Sequence, residues 1–195
     1  MPKLLVFAGP NGSGKSTVTS RINLFGKYVN ADSIKKYLQC SDLEAAQIAE
    51  TTREHYLEQS ADFTFETVLS TPRNIDLMVR AKQKGYYIVC IYVLTNDPNI
   101  NIARVHKRVS QGGHTVPDDK VHARYIRALN LLPMLFPICN ELYIFDNSLD
   151  ANEGEPSILI KSINGKIEAY SNQIWDEDMI KSLVSGKYVE DYIQE

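Results

Sequence analysis

An apolar run from Leu4 to Ala8 stops at Gly9 and passes directly into Gly9-Pro10-Asn11-Gly12-Ser13-Gly14-Lys15-Ser16. The spacing is a glycine, four residues, a second glycine, a lysine and a hydroxyl residue, the pattern of a phosphate-binding loop. A short continuous apolar run bounded by glycine has the form of a strand buried in a parallel sheet. Glycines let the following backbone wrap round a phosphate with its N–H groups turned inward, where side chains would block the approach. Lys15 is then placed to reach the β- and γ-phosphates of a nucleotide, and the Ser16 hydroxyl to complete a magnesium shell. The expected nucleotide site comprises Gly9, Asn11, Gly12, Ser13, Gly14, Lys15, Ser16 and Thr17, with magnesium-ATP as cofactor.

The rest of the chain alternates in the same style. Tyr28 to Asp32 predicts a second strand, with Asp32 or Ser33 capping the helix after it. Asp42 to Ser60 predicts a long helix, Asp62 to Thr67 a third strand, and Pro72 to Gly85 a helix with its terminal glycine. Tyr86 to Leu94 is the clearest buried strand, followed by helices over 101–110 and 118–136 and a fifth strand over 142–147. Strands alternating with helices predict an α/β P-loop NTPase fold: three layers round a mainly parallel five-stranded sheet. Residues 1–150 form the expected core, with a helical lid at about 101–130. Residues 151–195 add to the same domain a β-hairpin, signalled by Asn164-Gly165, and a partly exposed helical tail with six acidic residues and two lysines.

A net charge of -3 and a pI near 5.8 argue against a protein built to hold duplex nucleic acid, which needs a concentrated positive surface. Cys40, Cys90 and Cys139 form neither an even set nor a Cys-x-x-Cys pair, so a reducing compartment is expected. No apolar stretch approaches the roughly 20 residues of a membrane span. The expectation is a cytoplasmic protein without a membrane partner.

The loop specifies a nucleotide but not the chemistry. Thr95-Asn96-Asp97-Pro98 is not a guanine-reading motif, and Ser110-Gln111-Gly112-Gly113-His114 has the wrong order for a transporter ATPase signature. A kinase needs a carboxylate for the acceptor proton and cations for the transferring phosphoryl group. Asp32, just past the second strand, is the candidate general base, with helix capping as its other reading. Glu66, with Thr67 beside it, suits neutral donors such as sugar hydroxyls, or else orders magnesium-bound water. Arg104, Lys107, Arg108, Lys120, Arg124 and Arg127 face only Asp118 and Asp119 in a central basic segment. Its arginines read as a lid over the phosphates; a solvated basic face is the alternative. Asn147 follows the fifth strand, where it borders the nucleotide site.

These motifs together resemble the zeta-toxin family of P-loop kinases, especially its short stand-alone bacterial members. The resemblance rests on Gly9 to Thr17, Asn30-Ala31-Asp32, Phe65-Glu66-Thr67, the stretch from Arg104 through Arg108 and His114 to Pro117, the helix with Arg124, Arg127, Asn130 and Leu131, and Asp146-Asn147-Ser148. It covers about Lys3 to Ser148. It implies ATP and magnesium as cofactors and Asp32 as the base that deprotonates an acceptor hydroxyl. It further implies Arg108, Arg124 and Arg127 on the transferring phosphoryl group, Arg104 and Asn147 on the nucleotide, and Glu66, Thr67 and His114 on the acceptor. The acceptor of the best-understood relatives is UDP-N-acetylglucosamine, and an antitoxin protein is the implied partner. Two other functions stay open on the residues alone: an ATP-binding regulatory module acting on a protein, and a kinase of nucleic-acid ends.

Overall fold

A computed structural model describes residues 1–20, 22–110, 115–149 and 154–193. Its frame is set by β1 (Lys3–Ala8), β2 (Lys27–Val29), β3 (Phe63–Thr67), β4 (Tyr87–Leu94) and β5 (Glu141–Asp146). These five strands run parallel in the order β2-β3-β1-β4-β5. β1 and β4 lie between other strands and are covered on both faces, so their sequences are apolar without alternation. Leu4, Val6 and Ala8 face a large cluster with Phe63, Phe65 and Leu94, whereas Leu5 and Phe7 face a smaller one with Val18, Ile91 and Val93.

The parallel strands are joined by α1 (Lys15–Thr19), α2 (Ala31–Leu38), α3 (Asp42–Glu58), α4 (Arg73–Gln83), α5 (Pro98–Ser110) and α6 (Asp118–Leu131). Two expectations are corrected here. The second strand stops at Val29, and Asn30 rather than Asp32 or Ser33 caps α2, its side-chain oxygen accepting from the Ser33 N–H at 3.0 Å. The helix expected over 118–136 tightens into a 3-10 turn at Leu132–Leu135, where Pro133 supplies no N–H. At the start of α3, Ser41 and Glu44 form a reciprocal capping box.

Beyond the parallel strands, β6 (Ser157–Ile163) and β7 (Lys166–Ala169) continue the same sheet antiparallel, giving seven strands among the described residues. The hairpin therefore extends the core sheet instead of standing apart from it. Asn164 and Gly165 both adopt positive φ, 50° and 82°, as the two-residue turn demands. The tail is likewise more buried than its acidic composition suggests. It forms α7 (Glu177–Ser185) and α8 (Tyr188–Tyr192), and Trp175, Ile180, Leu183 and Tyr188 enter the large cluster.

Candidate active site

The phosphate loop joins the end of β1 to the start of α1, at the carboxyl edge of the sheet where open α/β folds hold their ligands. Its surroundings leave no room for side chains at three glycines, Gly9, Gly12 and Gly14. A Cβ on Gly12 would lie 2.3 Å from the Asn101 oxygen, and one on Gly14 2.0 Å from the Asn147 side-chain nitrogen. Asn101 Nδ2 donates to the Asn11 oxygen at 2.6 Å, Arg124 donates to Asn11 Oδ1 at 3.3 Å, and Asn147 Nδ2 donates to the Ser13 oxygen at 2.8 Å. α5, α6 and the end of β5 thus grip the loop from three directions.

Lys15 curls back over this loop, its ammonium donating to the Gly9 and Pro10 oxygens at 2.8 and 3.0 Å. Its pKa is lowered from 10.5 to about 8, chiefly by burial; Glu66 and Asp32 oppose the shift and Arg108 adds to it. Arg108, Glu66 and Asp32 thus lie within electrostatic reach of Lys15 and mark the mouth of the site: one further cation and two carboxylates. The Ser13 hydroxyl is buried and has no hydrogen-bond partner among the described residues.

Asp32 sits in the first turn of α2, and with Asn30 serving as the cap its carboxylate is not needed to start the helix. Glu66 lies near the end of β3. It shares a face with Thr64, because side chains alternate along a strand, and Thr64 is in register with Tyr28. Across that register the Tyr28 hydroxyl donates to Glu66 Oε1 and accepts from Asn30 Nδ2 at 3.1 Å. Thr67 points elsewhere: its hydroxyl accepts from the Leu69 N–H at 2.9 Å and from Asn74 Nδ2 at 2.7 Å, bracing the turn into α4.

The basic helices are placed unevenly. Arg124 reaches the phosphate loop, and Arg108 is close enough to Lys15 to perturb it. Arg127 donates from Nε to the Ser70 oxygen at 3.2 Å, on the β3 side of the mouth. Arg104 instead donates to the backbone oxygens of Asn147, Ser148 and Leu149 at 2.5, 3.4 and 2.7 Å. It fastens α5 to the segment after β5, next to the Asn147 side chain that holds the loop. His106 and Asp118, 2.7 Å apart, link α5 to α6. His114, Gly112 and Gly113 lie outside the described residues.

Among the described residues, no three His, Cys, Asp or Glu side chains converge as a metal site. The Ser16 hydroxyl is a hard oxygen donor and fits magnesium, which keeps several waters and is held largely by nucleotide phosphates.

Asn101, Tyr28 and the linking role of Asn30 were not singled out by the sequence reading. Asn101 falls on the buried stripe of α5 with Pro98 and Val105, so a polar residue at an apolar position was the available signal. For Tyr28 the signal was absent, since its partner Glu66 is 38 positions away.

The loop, sheet order and flanking helices define a P-loop nucleotide-binding protein of the kinase-like fold. The Zeta toxin family model matches residues 1–135, and the chain belongs to that family. An uncharacterized protein of Haemophilus influenzae is 32% identical over 129 residues, covering 63% of this chain and 92% of that one. A chain of the AvrRxo1-ORF1:AvrRxo1-ORF2 complex crystallised with ATP superposes with a TM-score of 0.73 at 15% identity, over 96% of this chain and 64% of that one. This protein therefore spans somewhat under two thirds of that longer relative. A structure from the PezAT toxin–antitoxin system of Streptococcus pneumoniae gives a TM-score of 0.59 at 14% identity, over all of this chain and 88% of that one. Among the described residues, no helix is long and apolar enough to cross a membrane.

Proposed function

We propose that the protein is a magnesium-ATP-dependent kinase that transfers the γ-phosphoryl group to a hydroxyl of a small neutral acceptor. The observation that carries this reading is that Asp32, Glu66 and Arg108 all lie within electrostatic reach of the Lys15 ammonium, which sits on the phosphate loop. A nucleotide-binding module needs the cations alone; paired carboxylates beside them supply what an acceptor hydroxyl needs. Family membership supports the same reading and makes a UDP-sugar such as UDP-N-acetylglucosamine the first acceptor to try.

In this mechanism the loop amides, Lys15 and Ser16 hold the β- and γ-phosphates. A bound magnesium ion would neutralise phosphate charge, with Ser16 as its protein ligand. Asp32 accepts the proton of the acceptor O–H while that oxygen forms a bond to the γ-phosphorus. The bond from the γ-phosphorus to the β,γ-bridging oxygen breaks, and ADP leaves with the electron pair. Glu66 accepts a hydrogen bond from a second donor of the acceptor and fixes its orientation. Arg108, Arg124 and Arg127 counter the charge that builds on the transferring group, a contribution that can reach about 10³–10⁵ in turnover for a single well-placed arginine. Arg104 and Asn147 hold the nucleotide side of the site, and His114 is assigned to the acceptor side, while Thr67 serves by bracing the turn between β3 and α4. The PezAT relationship adds a reading for partners: an antitoxin protein.

The test is a screen of UDP-sugars, nucleosides and small hydroxyl metabolites with labelled ATP. Acceptor-dependent transfer should fall about 10²–10⁴-fold in Asp32→Ala. ADP release that no acceptor accelerates would sink the kinase reading in favour of a regulatory ATP-binding module. Phosphorylation of oligonucleotide 5′ ends would redirect it to nucleic acid.

A further inference from the structure

We propose that Asn30 and Tyr28 act as one positioning unit that sets the placement and hydrogen-bond polarity of both carboxylates at the acceptor mouth. The proposal rests on the kinase reading and extends it to residues outside the phosphate loop, the lid and the two acids.

The geometry ties the acids to a single side chain. Asn30 Oδ1 accepts from the Ser33 N–H at 3.0 Å and so fixes the first turn of α2, the turn that carries Asp32. Asn30 Nδ2 donates to the Tyr28 oxygen at 3.1 Å, and the Tyr28 hydroxyl donates to Glu66 Oε1. The two ends of the amide cannot be exchanged, because the swap would set an NH2 group against the Ser33 N–H. Directions are therefore fixed along the whole relay, from amide to phenol to carboxylate.

This polarity has a chemical consequence. The only proton of the Tyr28 hydroxyl is spent on Glu66 Oε1. The remaining lone pairs of a Glu66 carboxylate can only accept. The acceptor must then bring its own donors to this point, which favours hydroxyl or amide groups and disfavours a carboxylate or phosphate. Tyr28 is 41% exposed, so the relay lies at the surface of the mouth and not in the core. Burial and the hydrogen bond to Glu66 also raise the Tyr28 pKa well above its ordinary value.

The experiment uses the full chain and the variants Tyr28→Phe, Asn30→Asp, Glu66→Gln and Tyr28→Phe/Glu66→Gln, each checked by thermal unfolding. Asn30→Asp keeps a good helix cap but replaces the amide donor with an acceptor that competes for the phenolic proton. With ¹³Cζ-labelled tyrosine and no acceptor present, Tyr28 should titrate above the ordinary tyrosine range and move down toward it in Glu66→Gln. With the acceptor found by the screen, Tyr28→Phe and Asn30→Asp should each raise the acceptor KM about tenfold, the scale of a lost bond to a charged group. The kcat and the KM for ATP should stay within about twofold. The double variant should be no worse than Glu66→Gln alone, since the two residues act as one unit. Additive losses, an unchanged acceptor KM in a folded Tyr28→Phe protein, or an ordinary titration of Tyr28 would each overturn the proposal. If no acceptor is phosphorylated, the kinase reading fails, and the NMR titration still decides whether the relay exists.

Discussion

Asn101 donates from its side-chain nitrogen to the backbone oxygen of Asn11 at 2.6 Å, across 90 positions of sequence. A fully buried residue of α5 thereby holds the centre of the phosphate loop. The Thr95 hydroxyl donates to the other end of the same amide, and the Tyr125 hydroxyl donates to the Thr95 oxygen at 2.7 Å. The loop's shape therefore depends on β4, α5 and α6 as well as on its own glycines. Asn101→Ala leaves the Asn11 oxygen and the Thr95 hydroxyl without this partner, at a cost of about 1–3 kcal/mol. The expected result is an ATP affinity about tenfold weaker by calorimetry and a Tm several degrees lower. An unchanged affinity would mean that the loop holds its shape without α5.

Gly14→Ala should abolish nucleotide binding while Gly85→Ala should not. Both glycines have positive φ, 88° and 80°, so both substitutions carry backbone strain of about 1 kcal/mol. They differ in surroundings. The new methyl at 14 would sit 2.0 Å from the Asn147 side-chain nitrogen, whereas at 85 nothing lies within 4 Å. Asn147 would have to leave the Ser13 oxygen, and the loop would lose its anchor on β5. Parallel ATP titrations of the two variants, with melting curves for stability, separate local strain from damage to the site.

Much of this arrangement was legible in the chain because it is local. The glycine spacing, the unbroken apolar strands and the Asn164-Gly165 turn each act over a few residues, and each forms the element expected of it. Asp32 and Glu66 stand out in the sequence for the same reason, as acids close behind short apolar runs; the structure places Asp32 in the first turn of α2 and Glu66 near the end of β3. The parts that escaped depend on distant pairing. The Tyr28–Glu66 bond follows from the parallel register of β2 on β3, and the grip of Asn101 on Asn11 follows from how α5 packs. The tail misled because its acids dominate the composition, while its burial depends on a few large apolar side chains.

Trp175 decides that last point. It is fully buried and stacks on Tyr188 with ring centroids 4.9 Å apart; Tyr188 in turn stacks on Tyr192 at 5.3 Å. The Tyr188 hydroxyl donates to the Asn96 oxygen at 3.2 Å, just beyond β4. Trp175→Ala should destabilise the whole protein by about 3–5 kcal/mol. The chain has one tryptophan, so its fluorescence reports on the tail alone. Urea unfolding followed by fluorescence and by far-UV circular dichroism should give one coincident transition, whereas an independently unfolding tail would give an earlier fluorescence midpoint.

Lys15 predicts a pH dependence with a defined sign. Its pKa is lowered to about 8 in the folded protein, chiefly by burial, against an ordinary value of 10.5. Below about pH 8 the folded state bears the full cost of keeping the ammonium charged. As pH rises through 8 the folded protein releases that proton before the unfolded chain does, so this residue's contribution to stability increases between about 8 and 10.5. ATP binding should move the opposite way, because the phosphates attract the charged form. Affinity should hold steady below pH 8 and fall as pH rises through it, by up to about tenfold per unit. Binding above pH 8 should take up a proton, measurable by calorimetry in buffers of different ionisation enthalpy. In Lys15→Met the inflection should vanish while weak residual binding persists, and an unchanged inflection in that variant would assign the titration to another group.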